Sequence, residues 1–343
     1  MGEMHTVHLK KFPAADGVRG VAVLIVLMAH ALVMFIPATR PYLSGTGKIG
    51  VWLFFVLSAF LLTNKFLKTG LNKHSLMEYV FGRTVRILPL FLIAASFYYS
   101  LGYYDFGTLL KVVSFQEGFA HLWTIPVEFK FYFLLPLLIL IFNKVIKHFG
   151  ITSLLIITGV LIISARYFYP EINIPGNSIE TRWYISSFLV GIFTSYFLAR
   201  FNLTSRKLGI PIAFCILGIL IAIPSFSNMT LNFVVLDNLP TSYMTLSLLW
   251  AVFIYLSIHD SGFTSKILSS QIMRMIGSHS FSTYLFHWFI FSELAKRYSD
   301  SFGWMFISII SSLIFGAIIS TLIEKRIEKL RHGIQNKILI PPR

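Results

Sequence analysis

Residues 19–32 read RGVAVLIVLMAHAL, ten residues without a charge held between an arginine and a histidine. Wound as an α-helix, the step from Arg19 to His30 leaves the two side chains roughly 20° apart on one face and about 16 Å apart along the axis. With its flanks the stretch becomes an apolar run over 18–36, enough to cross about 30 Å of hydrocarbon. Runs of the same kind follow at 49–66, 86–104, 123–142, 151–169, 183–199, 210–226, 241–258, 278–295 and 302–323. The third, fourth and ninth hold polar or charged residues inside or beside them. The chain is 56% hydrophobic and 13% charged, with a mean hydropathy of +0.74, so the bilayer is its solvent. The expected fold is all-α: a polytopic integral membrane helix bundle of about ten transmembrane helices.

The polar, basic N-terminus MGEMHTVHLKKFPAADG followed by about twenty apolar residues reads as a retained signal anchor. An even number of spans puts both termini on one side, and basic residues decide which. Lys10, Lys11, Arg19, Lys65, Lys68, Lys73, Arg83, Arg86, Lys144, Lys147, Arg200, Arg206, Lys207, Lys266, Arg274 and the cluster from Lys325 to Arg343 fall on the side of the termini. The opposite side holds only Arg40, Lys48, Lys111, Arg182, Lys296 and Arg297, while Lys130 and Arg166 lie within spans. The termini are therefore expected in the cytoplasm. This asymmetry absorbs most of the formal charge of +15 without any nucleic acid. No stretch rich in Pro, Gly or Ser separates the runs, so 1–343 reads as one membrane-embedded domain, its core over about 14–326, with a short basic cytoplasmic tail over 327–343. The single cysteine, Cys215, sits in an apolar run and can make neither an internal disulfide nor, alone, a metal site.

An ionisable group inside a span costs about 2.5–3.5 kcal/mol at the helix centre, so each one asks for a reason. The fourth run, HLWTIPVEFKFYFLLPLL, carries Glu128 about 7 Å below Trp123, and the ninth, IGSHSFSTYLFHWFIF, carries His287 about 16 Å above Ile276. His30, Glu128 and His287 are then expected at comparable depth in the outer half. Two imidazoles and a carboxylate are what general acid/base chemistry on a hydroxyl requires. The plainer readings are a His30 satisfied within the bundle, a Glu128 neutralised by Lys130 or Arg166, and an interfacial His287. Lys130, two positions from Glu128, points to nearly the opposite face and is a poor partner. On the cytoplasmic side YVFGRTVRILPL places Arg83 and Arg86 three apart on one face, and with Arg19 they form a cationic mouth suited to phosphate. Positive-inside anchoring would explain any one of these arginines. A phosphorylated donor entering from inside and an acceptor hydroxyl from outside fit the pattern; so does a proton-coupled transporter or exporter of a glycan or anion.

Five stretches, in order, resemble the membrane-bound acyltransferase-3 family. AADGVRGVAVLIVLMAH resembles its opening Asp-Gly-x-Arg-Gly and Arg-x10-His pattern, and GVWLFFVLSAFLLT its second span, with Ala59 where glycine is usual. FGRTVRILPLF resembles the Arg-x-x-Arg and Arg-Ile-x-Pro element, HLWTIPVEFKFYFLLPLL the Trp-x4-Glu-x3-Tyr element, and SFSTYLFHWFIF the late Tyr-x-x-His element. At the end of the last span, TLIEKRIEK departs from the family pattern, with Arg326 where the family tends to have proline after Glu-Lys. The resemblance implies acetyl-CoA, or a related acyl-CoA, as donor substrate and an extracytoplasmic carbohydrate as acceptor: exopolysaccharide, O-antigen, lipid-linked or other cell-envelope glycan. It implies a multi-pass protein of the cell membrane, without the extracytoplasmic esterase-like domain that some relatives carry. Arg19 and His30 carry over as the residues of the first motif, Arg83 and Arg86 as the basic pair that holds the donor, and Glu128 and His287 as further catalytic positions; no metal is implied.

Overall fold

The computed structural model describes residues 12–201, 207–231 and 239–338. The charges at Lys10, Lys11, Arg206 and Arg343 lie outside them. The described residues form helices joined by turns, with no strand among them. We number the principal helices α1 (Pro13–Phe35), α2 (Lys48–Thr69), α3 (Lys73–Ser100), α4 (Thr124–Phe168), α5 (Ile185–Arg200), α6 (Gly209–Ala222), α7 (Tyr243–His259), α8 (Ser280–Ala295), α9 (Phe302–Ile319) and α10 (Lys325–Ile338). Among the described residues six helical segments are long and apolar enough to cross a membrane, and α5 and α6 are shorter apolar helices. This is an all-α polytopic membrane bundle. Exposed side chains such as Leu137, Ile141, Ile156, Ile163, Ile310 and Ile314 give it the apolar exterior that lipid demands.

Local chemistry explains where the helices begin and bend. Pro13 opens α1, where its missing N–H costs nothing. At the start of α3, Asn72 and Ser75 close a capping box: Ser75 N donates to Asn72 Oδ1 at 2.8 Å and Asn72 N to Ser75 Oγ at 3.0 Å. That start precedes the expected 86, so Arg83 and Arg86 lie inside the helix rather than ahead of it. The runs at 123–142 and 151–169 are two arms of α4, broken at Gly150, whose φ of 78° and ψ of −177° suit glycine and little else. Before α8 the chain turns at His279, so the ninth run is preceded by a separate short helix, Gln271–Ser278.

Two helices organise the centre. Val23, Leu27, Ala31 and Phe35, four apart along α1, pack with Phe291 of α8 and with Met305 and Ile309 of α9. Val18, Ala22 and Val26 join the larger core with α2, which in turn packs along α5 and α7. α10 lies against α3, where Gln335 Nε2 donates to the Glu78 carbonyl at 3.3 Å and Arg331 donates to Glu328 at 2.6 Å. The helix therefore continues through a π turn at Ser320–Glu324 into most of the stretch expected as a tail, and Glu324 Oε2 in that turn accepts from Ser282 Oγ at 2.6 Å.

Candidate active site

Near the N-terminal end of α1, Arg19 comes together with Arg83 and Arg86 of α3 in one open cavity of about 780 Å³. Glu128 and Tyr132 of α4, Ser58 of α2, and Thr124 and Tyr284 also line it. Arg19 Nη1 donates to Asp16 Oδ1 at 2.7 Å, one turn back on α1, which fixes its head. Arg83 and Arg86 form no hydrogen bond or salt bridge with a described residue, so both guanidinium forks remain open to an anion. Three guanidinium groups and one carboxylate, Glu128, line the cavity, and Asp16 compensates Arg19.

Glu128 belongs to this cavity and not to the histidines. Its Oε1 accepts from Ser58 Oγ at 2.6 Å and from Tyr132 OH at 2.5 Å. Neither candidate counter-ion reaches it: Lys130 Nζ pairs with Glu180 Oε1 at 3.1 Å and Arg166 Nε with Glu171 Oε1 at 2.9 Å.

Toward the other end of α1, His30 and His287 meet directly. His30 Nδ1 stands 2.9 Å from His287 Nε2, and the ring planes differ by only 2° with centroids 5.2 Å apart, so the rings touch nitrogen to nitrogen. His287 Nδ1 lies 2.7 Å from the Tyr284 carbonyl. A carbonyl only accepts, so in the neutral pair His287 carries its proton on Nδ1 and accepts through Nε2. His30 must then donate from Nδ1, and its Nε2 keeps a free lone pair. The order of donors fixes which nitrogen of His30 is basic. His287 is 1% exposed, so this wiring is shielded from water.

A third imidazole stands beside the pair. His121, just before α4, donates from Nε2 to the Leu285 carbonyl at 2.9 Å, and its ring lies edge-on to His287 with centroids 4.8 Å apart. Its backbone carbonyl accepts from Tyr284 OH at 2.6 Å. Tyr284 therefore joins the two regions: its ring lines the cavity, its hydroxyl anchors on His121 and its carbonyl holds His287. The family motifs quoted above include Asp16, Tyr132 and Tyr284 without a role for them, and Ser58 and His121 carried no expectation from the sequence. Spacing offered a signal for two of them, since Tyr132 is four residues beyond Glu128 and Tyr284 three before His287. No group of three or more His, Cys, Asp or Glu among the described residues could hold a metal ion.

A lipid-facing helix bundle with an arginine-lined cavity and a hydrogen-bonded imidazole pair falls in the class of polytopic integral membrane proteins. The chain belongs to the acyltransferase-3 family, whose Acyltransferase domain model matches residues 12–324. It is similar to O-acetyltransferase OatA of Staphylococcus aureus (strain NCTC 8325 / PS 47), 27% identical over 316 residues that cover 80% of this chain and 50% of that protein. It is also similar to SACOL0978 of Staphylococcus aureus (strain COL), 25% identical over 336 residues covering 85% of this chain and 52% of that protein. The chain thus spans about half the length of these curated relatives. No solved structure matches it.

Proposed function

We propose that the protein is an O-acyltransferase of the cell membrane that moves an acyl group, most simply acetyl, from cytoplasmic acyl-CoA to a hydroxyl of an extracytoplasmic carbohydrate. The termini would be cytoplasmic, 1–343 would act as one domain, and the acceptor would be an exopolysaccharide, O-antigen, lipid-linked or other envelope glycan. The observation that carries the reading is the separation along α1: an arginine-lined cavity at one end and a histidine with a free lone pair toward the other. The name of the relative OatA, an O-acetyltransferase, supports the acetyl group and the hydroxyl.

The chemistry follows from those groups. Arg83, Arg86 and the Asp16-held Arg19 take the CoA phosphates, and the acyl-bearing arm runs toward the histidines. His30 Nε2 removes the hydroxyl proton as the alcohol oxygen attacks the thioester carbonyl. A C–O bond forms and the C–S bond breaks, its electron pair leaving on the CoA sulfur. The imidazolium then returns the proton to that thiolate. His287 keeps the proton of His30 on Nδ1 and supports the positive charge that forms, as the third member of a nucleophile–base–orienter set does. Glu128 orients Ser58 and Tyr132 at the cavity wall. The same Nε2 can instead be the nucleophile, giving an acyl-imidazole before transfer. Release of CoA thiol from acetyl-CoA by the protein in proteoliposomes tests the reading. The reading expects release that depends on added envelope glycan; glycan movement without thiol release would contradict it.

A further inference from the structure

α8 ends at Ala295, and the turn over 296–301 that follows is tied to the end of α1, where Asp300 N donates to the Phe35 carbonyl at 2.7 Å. Phe35 closes α1 beyond His30, so this turn caps the bundle at the histidine end, away from the arginine cavity. Beside it, at the end of α3, lies a second recess, open and about 860 Å³ in volume. Leu101, Phe289, Leu294, Tyr298 and Trp304 give it apolar walls, and the Tyr298 and Trp304 rings lie nearly parallel with centroids 3.8 Å apart. Leu294 follows His287 by two turns of α8, roughly 10 Å along the axis and almost in line with it.

Two charged side chains line the same recess, Glu293 and Arg297, one helical turn apart. Glu293 Oε1 is already engaged, accepting from Tyr103 OH at 2.9 Å and from Lys296 Nζ at 2.7 Å. Glu293 Oε2 and the Arg297 guanidinium have no hydrogen bond or salt bridge with a described residue. A membrane boundary alone accounts for a Tyr and a Trp at such a place. It does not account for an acceptor oxygen and a donor fork left open together. An anion would satisfy Arg297 and be repelled by Glu293, whereas hydroxyl groups donate to the one and accept from the other. A sugar ring adds an apolar C–H face for aromatic walls. We propose that this recess is a subsite for a neutral carbohydrate, holding a sugar residue of the acceptor glycan near the one whose hydroxyl reaches His30. The inference rests on the acyltransferase reading for what happens to that glycan, and on the recess itself for its binding.

The test is equilibrium binding of oligosaccharide fragments of the envelope glycan, from single sugars upward, to the full-length protein in nanodiscs of neutral phospholipid. Longer fragments should bind the wild type. Arg297→Ala or Glu293→Gln should weaken them about tenfold, the worth of one charged hydrogen bond, while labelled acetyl-CoA binding and the thermal midpoint stay at wild-type values. The same substitutions should raise the KM for long acceptors and leave that for a single sugar unchanged, which a merely structural role would not do. Fragment binding that neither substitution weakens, or no fragment binding by the wild type, would overturn the proposal. Displacement of the fragments by anionic phospholipid added to the nanodiscs would overturn it in favour of a lipid headgroup. If fragments bind in the predicted way but no CoA thiol is released, the subsite stands and the acyltransferase reading falls.

Discussion

His287 Nε2 lies 2.9 Å from His30 Nδ1, and the only role its own Nδ1 can take against the Tyr284 carbonyl, 2.7 Å away, is donor. One residue on α8 thus sets the tautomer of a residue on α1. His287→Ala removes that acceptor and frees His30 to carry its proton on either nitrogen. Transfer should fall by about 10²–10⁴-fold, the usual worth of positioned acid–base catalysis. The KM for acetyl-CoA should stay near wild type, because His287 is outside the arginine cavity. Initial rates against acetyl-CoA concentration in proteoliposomes separate the two parameters.

In the proposed reading Arg83 and Arg86 hold the donor. Each charged hydrogen bond to phosphate is worth about 1.5–3 kcal/mol, so Arg83→Ala or Arg86→Ala should weaken labelled CoA binding by roughly 10- to 150-fold. Lysine at either position should restore only part of this, since an ammonium lacks the planar fork. Equilibrium binding to the purified protein checks it.

Glu128 distinguishes orientation from proton transfer. Its Oε1 holds two hydroxyls, those of Ser58 and Tyr132, and touches neither histidine of the pair. Glu128→Gln keeps an amide oxygen for them and should retain transfer within about tenfold, well short of the loss expected for a proton-transfer group. Glu128→Ala strands both hydroxyls and should destabilise the protein by about 1–3 kcal/mol, read as a lower thermal midpoint than that of the glutamine variant.

The sequence carried separation along one helix better than direction about it. Runs of apolar residues located the bundle, and helical rise placed Arg19 and His30 toward opposite ends of α1, where the structure has them on the cavity and on His287 respectively. Rise along an axis says nothing of rotation about it between separate helices, so the sequence could set Glu128 only at a depth comparable to that of the imidazoles, while in the fold it accepts from Ser58 and Tyr132 and lines the cavity of the arginines. Apolarity also misjudged boundaries wherever a helix lines a cavity. α3 starts at Lys73, well before 86, because Arg83 and Arg86 face inward from the same continuous helix that later faces lipid. His121 escaped notice because it sits in the turn ahead of α4, and only the folded bundle brings it against His287.

The central claim is that His30 is the group through which the acyl transfer runs. The most direct measurement is His30→Ala in membranes supplied with labelled acetyl-CoA, with label in the envelope glycan counted alongside labelled acetyl-CoA bound to the protein. The account predicts that glycan labelling falls to background while acetyl-CoA binding persists through Arg19, Arg83 and Arg86. Undiminished labelling of the glycan by the His30→Ala protein would contradict it.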